Sequence, residues 1–292
     1  MSPDQPPKPV VLLAGGTGGA KLARGMQDLV GDDLIVIANT GDDVEIHDAY
    51  VSPDPDLICF RLADRIDERG WGIEGDTFEF MESVTGSVDA WFSLGDEDRD
   101  IGIRRKRLVD SGGTLTRAIE ELTNDLGVAA TVLPMSDQPV RTEVLSGDRW
   151  IGFQEFMVRE RAQVPIDDVR YAGAEAARPS PEALAAIAAA RTIVIGPSNP
   201  VASIGPILAV CREALAAAQA PVVAVSPIVS GKVLKGPTRE FMTWAGYDTT
   251  TAGVAQYYGD LVDGVFDEDT LMDTTEASRA LAARVLEFAA NL

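Results

Sequence analysis

Residues 10–43 read VVLLAGGTGGAKLARGMQDLVGDDLIVIANTGDD, and this stretch decides the fold. Val10–Ala14 is short and uniformly apolar, the pattern of a strand buried on both faces of a parallel sheet. Gly15-Gly16-Thr17-Gly18-Gly19 follows at once, and helical spacing resumes at Ala20, Leu22, Ala23, Met26 and Leu29. A second apolar run, Leu34–Ala38, ends in Asn39-Thr40-Gly41-Asp42-Asp43. Strand, glycine loop, helix, strand is a βαβ opening. The same grammar returns in the last third. Residues 191–196 (RTIVIG) run into Pro197-Ser198-Asn199-Pro200, a helix is expected over 207–218, and Pro221–Val225 runs into Ser226-Pro227. A further helix and the start of a strand are expected within 250–263. Alternating apolar strands and helices predict an α/β fold, a doubly wound, mainly parallel, Rossmann-like sheet whose strand C-termini carry the ligand loops. Residues 54–124 carry mostly helical spacing. They are read as an insertion into a core made of residues 1–53 and 125–292, with short strands expected at 130–133 and 150–153.

Composition bounds the partners. Forty-six acidic against 25 basic residues leave a net charge of −21, which argues against nucleic-acid binding, where clustered Lys and Arg are needed. Residues 41–100 alone hold 18 acidic and 4 basic side chains, so much of the charge is local. No apolar run reaches the roughly 18 residues of a membrane span. The opening MSPDQPPKP has neither basic nor apolar stretches and reads as a polar tail. Two cysteines, Cys59 and Cys211, are expected as buried free thiols of a reducing cytoplasm.

Four constellations bear chemistry. The glycine loop leaves backbone N–H groups open to an anion at a helix N-terminus, and Lys21 adds a point charge. It is no Walker loop, and Lys21 stands where a dinucleotide fingerprint would place its third glycine. The carboxylates Asp42, Asp43, Glu45, Asp48, Asp54 and Asp56 suit a hard divalent cation bridging phosphates, or else a solvated acidic surface. Ser198, Asn199 and Ser203 lie in a proline-stiffened loop leading into a helix. Ser226, Lys232 and Lys235 follow a buried strand. His47, the only histidine, is read as structural, and with no serine in a nucleophile elbow a Ser-His-Asp hydrolase is set aside. The basic run Arg104–Arg107 is read mainly as the solvated face of a helix.

The chain resembles the 2-phospho-L-lactate transferase family of deazaflavin coenzyme biosynthesis. The resemblance rests on GGTGGAKL (15–22), NTGDD (39–43), YVSPDPD (50–56), RGWGIEGDTF (69–78), LGDED (94–98), PMSDQPVRT (134–142), FQEFMVR (153–159), GPSNPVASIGPIL (196–208) and SPIVSGKVLKGP (226–237), in the family's order. It implies an Mg²⁺-dependent transferase. A phospholactyl or phosphoenolpyruvyl group would pass from a GDP-linked donor to the ribityl hydroxyl of 7,8-didemethyl-8-hydroxy-5-deazariboflavin (Fo), with GMP leaving. Carried over, Gly15, Gly16, Thr17, Gly18, Gly19, Lys21, Ser198, Asn199, Ser203, Ser226, Lys232 and Lys235 line the guanine nucleotide and donor phosphates. Asp42 and Asp56 serve metal and catalysis, and Asp43, Asp54, Asp56 and Ser93 serve the acceptor. The chain departs from the family's pattern at Glu97, where an arginine is usual, and at Ile101-Gly102, where a Thr-His pair is usual. It also lacks a helix and strand between Glu268 and Asp269. A regulatory nucleotide-binding relative and a transferase with another acceptor therefore stay open. A homodimer is the expected assembly.

Overall fold

In a computed structural model, residues 8–229, 231–233 and 236–292 are described, Lys232 by its backbone only. β1 (Val10–Ala14), α1 (Gly16–Val30) and β2 (Leu34–Ala38) form the expected unit, with β1 and β2 parallel and paired Val10 to Leu34 through Ala14 to Ala38. Every β1 side chain is buried, which is why that strand tolerates no polar residue. Helix α1 stops at Gly31, whose φ of 58° suits glycine. A hairpin not expected from the sequence follows, β3 (Val44–Ile46) and β4 (Ala49–Val51). His47 and Asp48 turn it with φ of 54° and 60°, the positive pair that matches strand twist.

Four helices cover the next segment: α2 (Pro53–Leu62), α3 (Glu79–Ser83), α4 (Asp96–Asp110) and α5 (Leu115–Leu126). They do not build a core of their own. Ile58, Phe60 and Leu62 of α2, Ile101 of α4, and Leu115, Ile119 and Leu122 of α5 share one apolar cluster with Leu12, Leu34 and Val36 of the sheet. With α1, these three helices cover one face of the sheet, while Phe92 and Leu94 pack in a separate small cluster with the β3–β4 hairpin.

β5 (Thr131–Pro134) completes one half of the sheet. A small antiparallel sheet then interrupts the alternation: β6 (Arg141–Ser146), β7 (Arg149–Gly152) and β8 (Asp168–Ala172), ordered β7-β6-β8. The other half comprises α6 (Pro181–Ala189), β9 (Thr192–Ile195), α7 (Gly205–Ala216) and β10 (Val222–Val225). A two-residue ribbon, β11 (Ile228–Val229) and β12 (Lys232–Val233), precedes α8 (Thr238–Trp244), α9 (Thr251–Tyr258), β13 (Gly264–Phe266) and α10 (Thr275–Ala290). The six strands of the main sheet make five pairings, all parallel, in the order β13-β10-β9-β1-β2-β5. Chain direction across the sheet therefore reverses between β1 and β9, the doubly wound order, and a crevice opens there beyond the strand C-termini. Among the described residues no helix is long and apolar enough to cross a membrane. Cys59 and Cys211 are both buried and free.

Candidate functional site

The crevice at the β1/β9 switch point encloses about 460 Å³, the size of a small-molecule site. One wall is the glycine loop. The facing wall is Pro197–Ser203, and close approach of the two explains the glycines. A Cβ on Gly18 would meet the Pro197 carbonyl oxygen at 2.3 Å, and one on Gly19 would meet the Ser198 hydroxyl at 2.9 Å. The Ser198 hydroxyl donates to the Gly15 carbonyl at 2.6 Å and ties the walls together. Lys21 reaches from α1 to donate to the Met272 carbonyl, 2.5 Å, at the rim. Phe153, Met157, Val229, Val233, Leu271 and Met272 supply the apolar part of the lining.

The floor is acidic. Helix α1 has no side-chain cap of its own. Instead Asp54, arriving from the first turn of α2, accepts the Gly16 N–H at 2.6 Å. The Asn39 amide nitrogen donates both to Asp54, 2.8 Å, and to Asp42, 3.1 Å, while its oxygen accepts from Gly41 N–H at 2.8 Å. Both carboxylates line the crevice, although Asp42 is 6% and Asp54 5% exposed. Burial, and then the neighbouring Asp54 charge, hold Asp42 protonated well above the usual carboxylate range. Burial pushes Asp54 up to about 6 against the bonds from Asn39 and Gly16. Two buried acids sharing one amide are the kind of perturbed pair that marks a working site.

Beside them lies a third buried acid. Asp43 accepts from Ser52 at 2.7 Å and from the Tyr50 hydroxyl at 2.9 Å, and burial drives it up to about 7, opposed by the Arg141 charge. Arg141 donates to the Tyr50 hydroxyl at 3.0 Å and to the carbonyls of Val140 and Thr40, fixing the Asn39–Asp43 loop from the small sheet.

The sequence candidates thus separate. Gly15, Gly16, Thr17, Gly18, Lys21, Ser198, Asn199, Ser203, Asp42 and Asp54 come together around one crevice. Gly19 packs behind the loop, and Ser226 braces the turn after β10, its hydroxyl sharing a bond with Thr251 at 2.9 Å. Lys235 and the Lys232 side chain lie outside the described residues. Asp56 does not line the crevice. It sits two residues after Asp54 on a helix, about 200° around the axis, and so faces away. There it forms a two-pronged ion pair with Arg105, whose side chain is 2% exposed. That corrects the reading of Arg104–Arg107 as a solvated face: Arg104 is exposed, but Arg105 is buried as the partner of Asp56 and also donates to the Tyr50 carbonyl at 2.9 Å. Ser93 is exposed and away from the crevice. Asp96 caps the start of α3 through the Glu79 and Phe80 amides, and Asp76 returns the service to α4 through Glu97 and Asp98. His47 bonds the Phe92 carbonyl at 2.9 Å and packs its ring edge-on to Phe80. Asn39, Arg141, Phe153 and Met157 lie within the quoted motifs but were not singled out as site residues; the Asn39–Asp54 bond spans 15 residues and the Arg141–Tyr50 bond 91, which residue order does not announce.

Comparison with known proteins follows this geometry. The family model described as 2-phospho-L-lactate transferase CofD matches residues 10–286. A phosphoenolpyruvate transferase from Streptomyces coelicolor is 41% identical over 291 residues, covering 95% of this chain and 90% of that protein. A 2-phospho-L-lactate transferase from Methanosarcina mazei is 35% identical over 303 residues, covering 95% and 99%. A crystal structure of a UPF0052 family member from Bacillus halodurans superposes with a TM-score of 0.59 at 20% identity, covering 96% of this chain and 86% of that one, a likeness of fold.

Proposed function

The chain belongs to the 2-phospho-L-lactate transferase family, and from that premise we propose that it transfers a phosphoenolpyruvyl or phospholactyl group from a GDP-linked donor to Fo, releasing GMP, with Mg²⁺. The higher identity to the Streptomyces coelicolor enzyme favours the phosphoenolpyruvyl donor. One observation carries the reading: the Asp42–Asp54 pair forms the floor between two loops that each lead into a helix N-terminus. Two walls of backbone N–H groups and Lys21 suit a diphosphate, and the apolar part of the lining suits a base.

The donor set also fits Mg²⁺. The described residues hold no cluster of three or more ligating His, Cys, Asp or Glu side chains. Mg²⁺ is commonly bound by one or two carboxylates completed by water and substrate phosphates, and Asp42 with Asp54 supplies that number. When bound, the cation would neutralise the donor phosphates and relieve the repulsion between the two acids.

The remaining work falls to the chain. Donor phosphate competes with Asp54 for the Gly16 N–H and so frees that oxygen. A carboxylate raised toward neutrality is suited to accept the proton of an attacking hydroxyl. Asn39 holds both acids in register. The hydroxyl attacks the phosphorus distal to the guanosine, and GMP departs without a covalent intermediate.

The test is incubation of purified protein with Fo, Mg²⁺ and the GDP-linked phosphoenolpyruvyl donor, with GMP and phosphodiester product followed by chromatography. Both are expected. Asp42→Asn and Asp54→Asn should each cut turnover by about 10²-fold or more, the size of one lost catalytic group. Absence of GMP from the wild-type protein refutes the reading, and product with a different flavin-like acceptor redirects it to the alternative that Glu97 and Ile101-Gly102 leave open.

A further inference from the structure

The wall opposite the glycine loop is unusual in its backbone. Residues Pro200–Ile204 form a single wide helical turn, in which the Ile204 N–H reaches back five residues to the Asn199 carbonyl at 3.1 Å. Such turns are rare and cluster at functional sites. Its start is secured by the Asn199 side chain, which accepts from the amides of Val201 and Ala202 at 3.0 and 3.1 Å. In the wide pattern the Val201 carbonyl looks to the N–H of residue 206, and residue 206 is a proline, which has none.

Tyr171 supplies the missing donor. From β8, 30 residues away, its hydroxyl donates to the Val201 carbonyl at 2.7 Å. The approach depends on Gly205, because a Cβ there would lie 1.9 Å from that hydroxyl. Tyr257 of α9 lies beside the phenol. The turn carries Ser203 on its crevice side, the hydroxyl facing Gly16, and follows directly on Ser198 and Asn199, which also line the crevice.

We propose that Tyr171 is a positioning residue for the transfer reaction: its hydroxyl replaces the amide donor that Pro206 lacks, keeps the 200–204 turn wide, and so sets the wall carrying Ser203 at its distance from the glycine loop, where the donor phosphates would bind. The last step rests on the donor reading above. Tyr171 touches no substrate and acts through the turn. The small antiparallel sheet thereby gains a purpose, since β8 braces the crevice wall from outside the main sheet.

Tyr171→Phe removes only the hydroxyl and is the test. Hydrogen exchange followed by mass spectrometry should show faster exchange confined to peptides covering 199–206. GDP affinity, read by calorimetry, and donor KM should weaken about three- to tenfold, the worth of one neutral hydrogen bond. Acceptor KM should stay within about twofold. Tyr247→Phe, in the same aromatic cluster but without a bond to the turn, should change none of these. Unchanged exchange at 199–206 overturns the proposal. Faster exchange with unaltered GDP affinity and donor KM reduces Tyr171 to a structural role and overturns it equally. Wild-type protein that binds no GDP refutes the donor reading instead, while the exchange result still decides whether Tyr171 holds the turn.

Discussion

Replacing Arg105 with methionine is the perturbation that best tests how the acidic residues are divided between crevice and scaffold. The Arg105 side chain is 2% exposed and its partner Asp56 14% exposed. The guanidinium makes two bonds to the Asp56 carboxylate and one to the Tyr50 carbonyl. Methionine keeps much of the volume but leaves a buried carboxylate without its counter-charge and a carbonyl without its donor. Breaking a buried ion pair from one side costs about 3–5 kcal/mol. In a chain of this length that corresponds to a fall in melting temperature of roughly 6–10 °C at about 2 °C per kcal/mol. Removing both partners is different, because well-packed apolar residues often replace a buried pair at little cost. The double variant Arg105→Met/Asp56→Leu should therefore recover at least about 2 kcal/mol of what the single variant loses, a coupling expected only of groups in contact. Urea unfolding followed by circular dichroism measures all four members of the cycle. An Arg105→Met variant within about 1 kcal/mol of wild type, or a double variant less stable than the single, refutes the assignment of Asp56 to the scaffold.

Two further outcomes are expected. Without divalent cations, stability should fall as pH rises from about 4 to about 7. Asp43 titrates near 7 and Asp54 near 6 in the folded chain, against 3.8 unfolded, so over that window the folded state binds more protons. Asp43→Asn should flatten the fall in urea midpoint between pH 5 and 8, and an identical slope in variant and wild type would count against the buried-acid account. Gly18→Ala should abolish GDP binding by calorimetry, since its new Cβ meets the Pro197 carbonyl oxygen at 2.3 Å and must push the walls apart; retained affinity would sink the explanation of that glycine.

Much of this was legible in residue order. The strand–glycine–helix opening, the loop after β9 and the run into β10 are local patterns, and uniformly apolar runs of four or five residues identify buried parallel strands whatever packs on them. Less legible were the short antiparallel pieces. The strands β3, β6 and β8 are only partly covered, and β4, though buried, is three residues long, so period alone does not reveal them. The acidic cluster was visible as a cluster, but its division was not. Asp54 and Asp56 read alike in sequence, and helix phase sends one to the Gly16 amide and the other to Arg105.

Sequence by itself determined the parallel sheet, the glycine loop and the family, because these depend on backbone freedom and on which short runs avoid water. Tertiary structure alone decided which acids share Asn39, why Arg105 is buried, and that a phenol 30 residues away completes the turn ending at Pro206. Those features pair groups distant in the chain. A buried charge or carbonyl takes whatever partner the fold brings within reach, and that partner is set by the packing of whole elements rather than by neighbours in sequence.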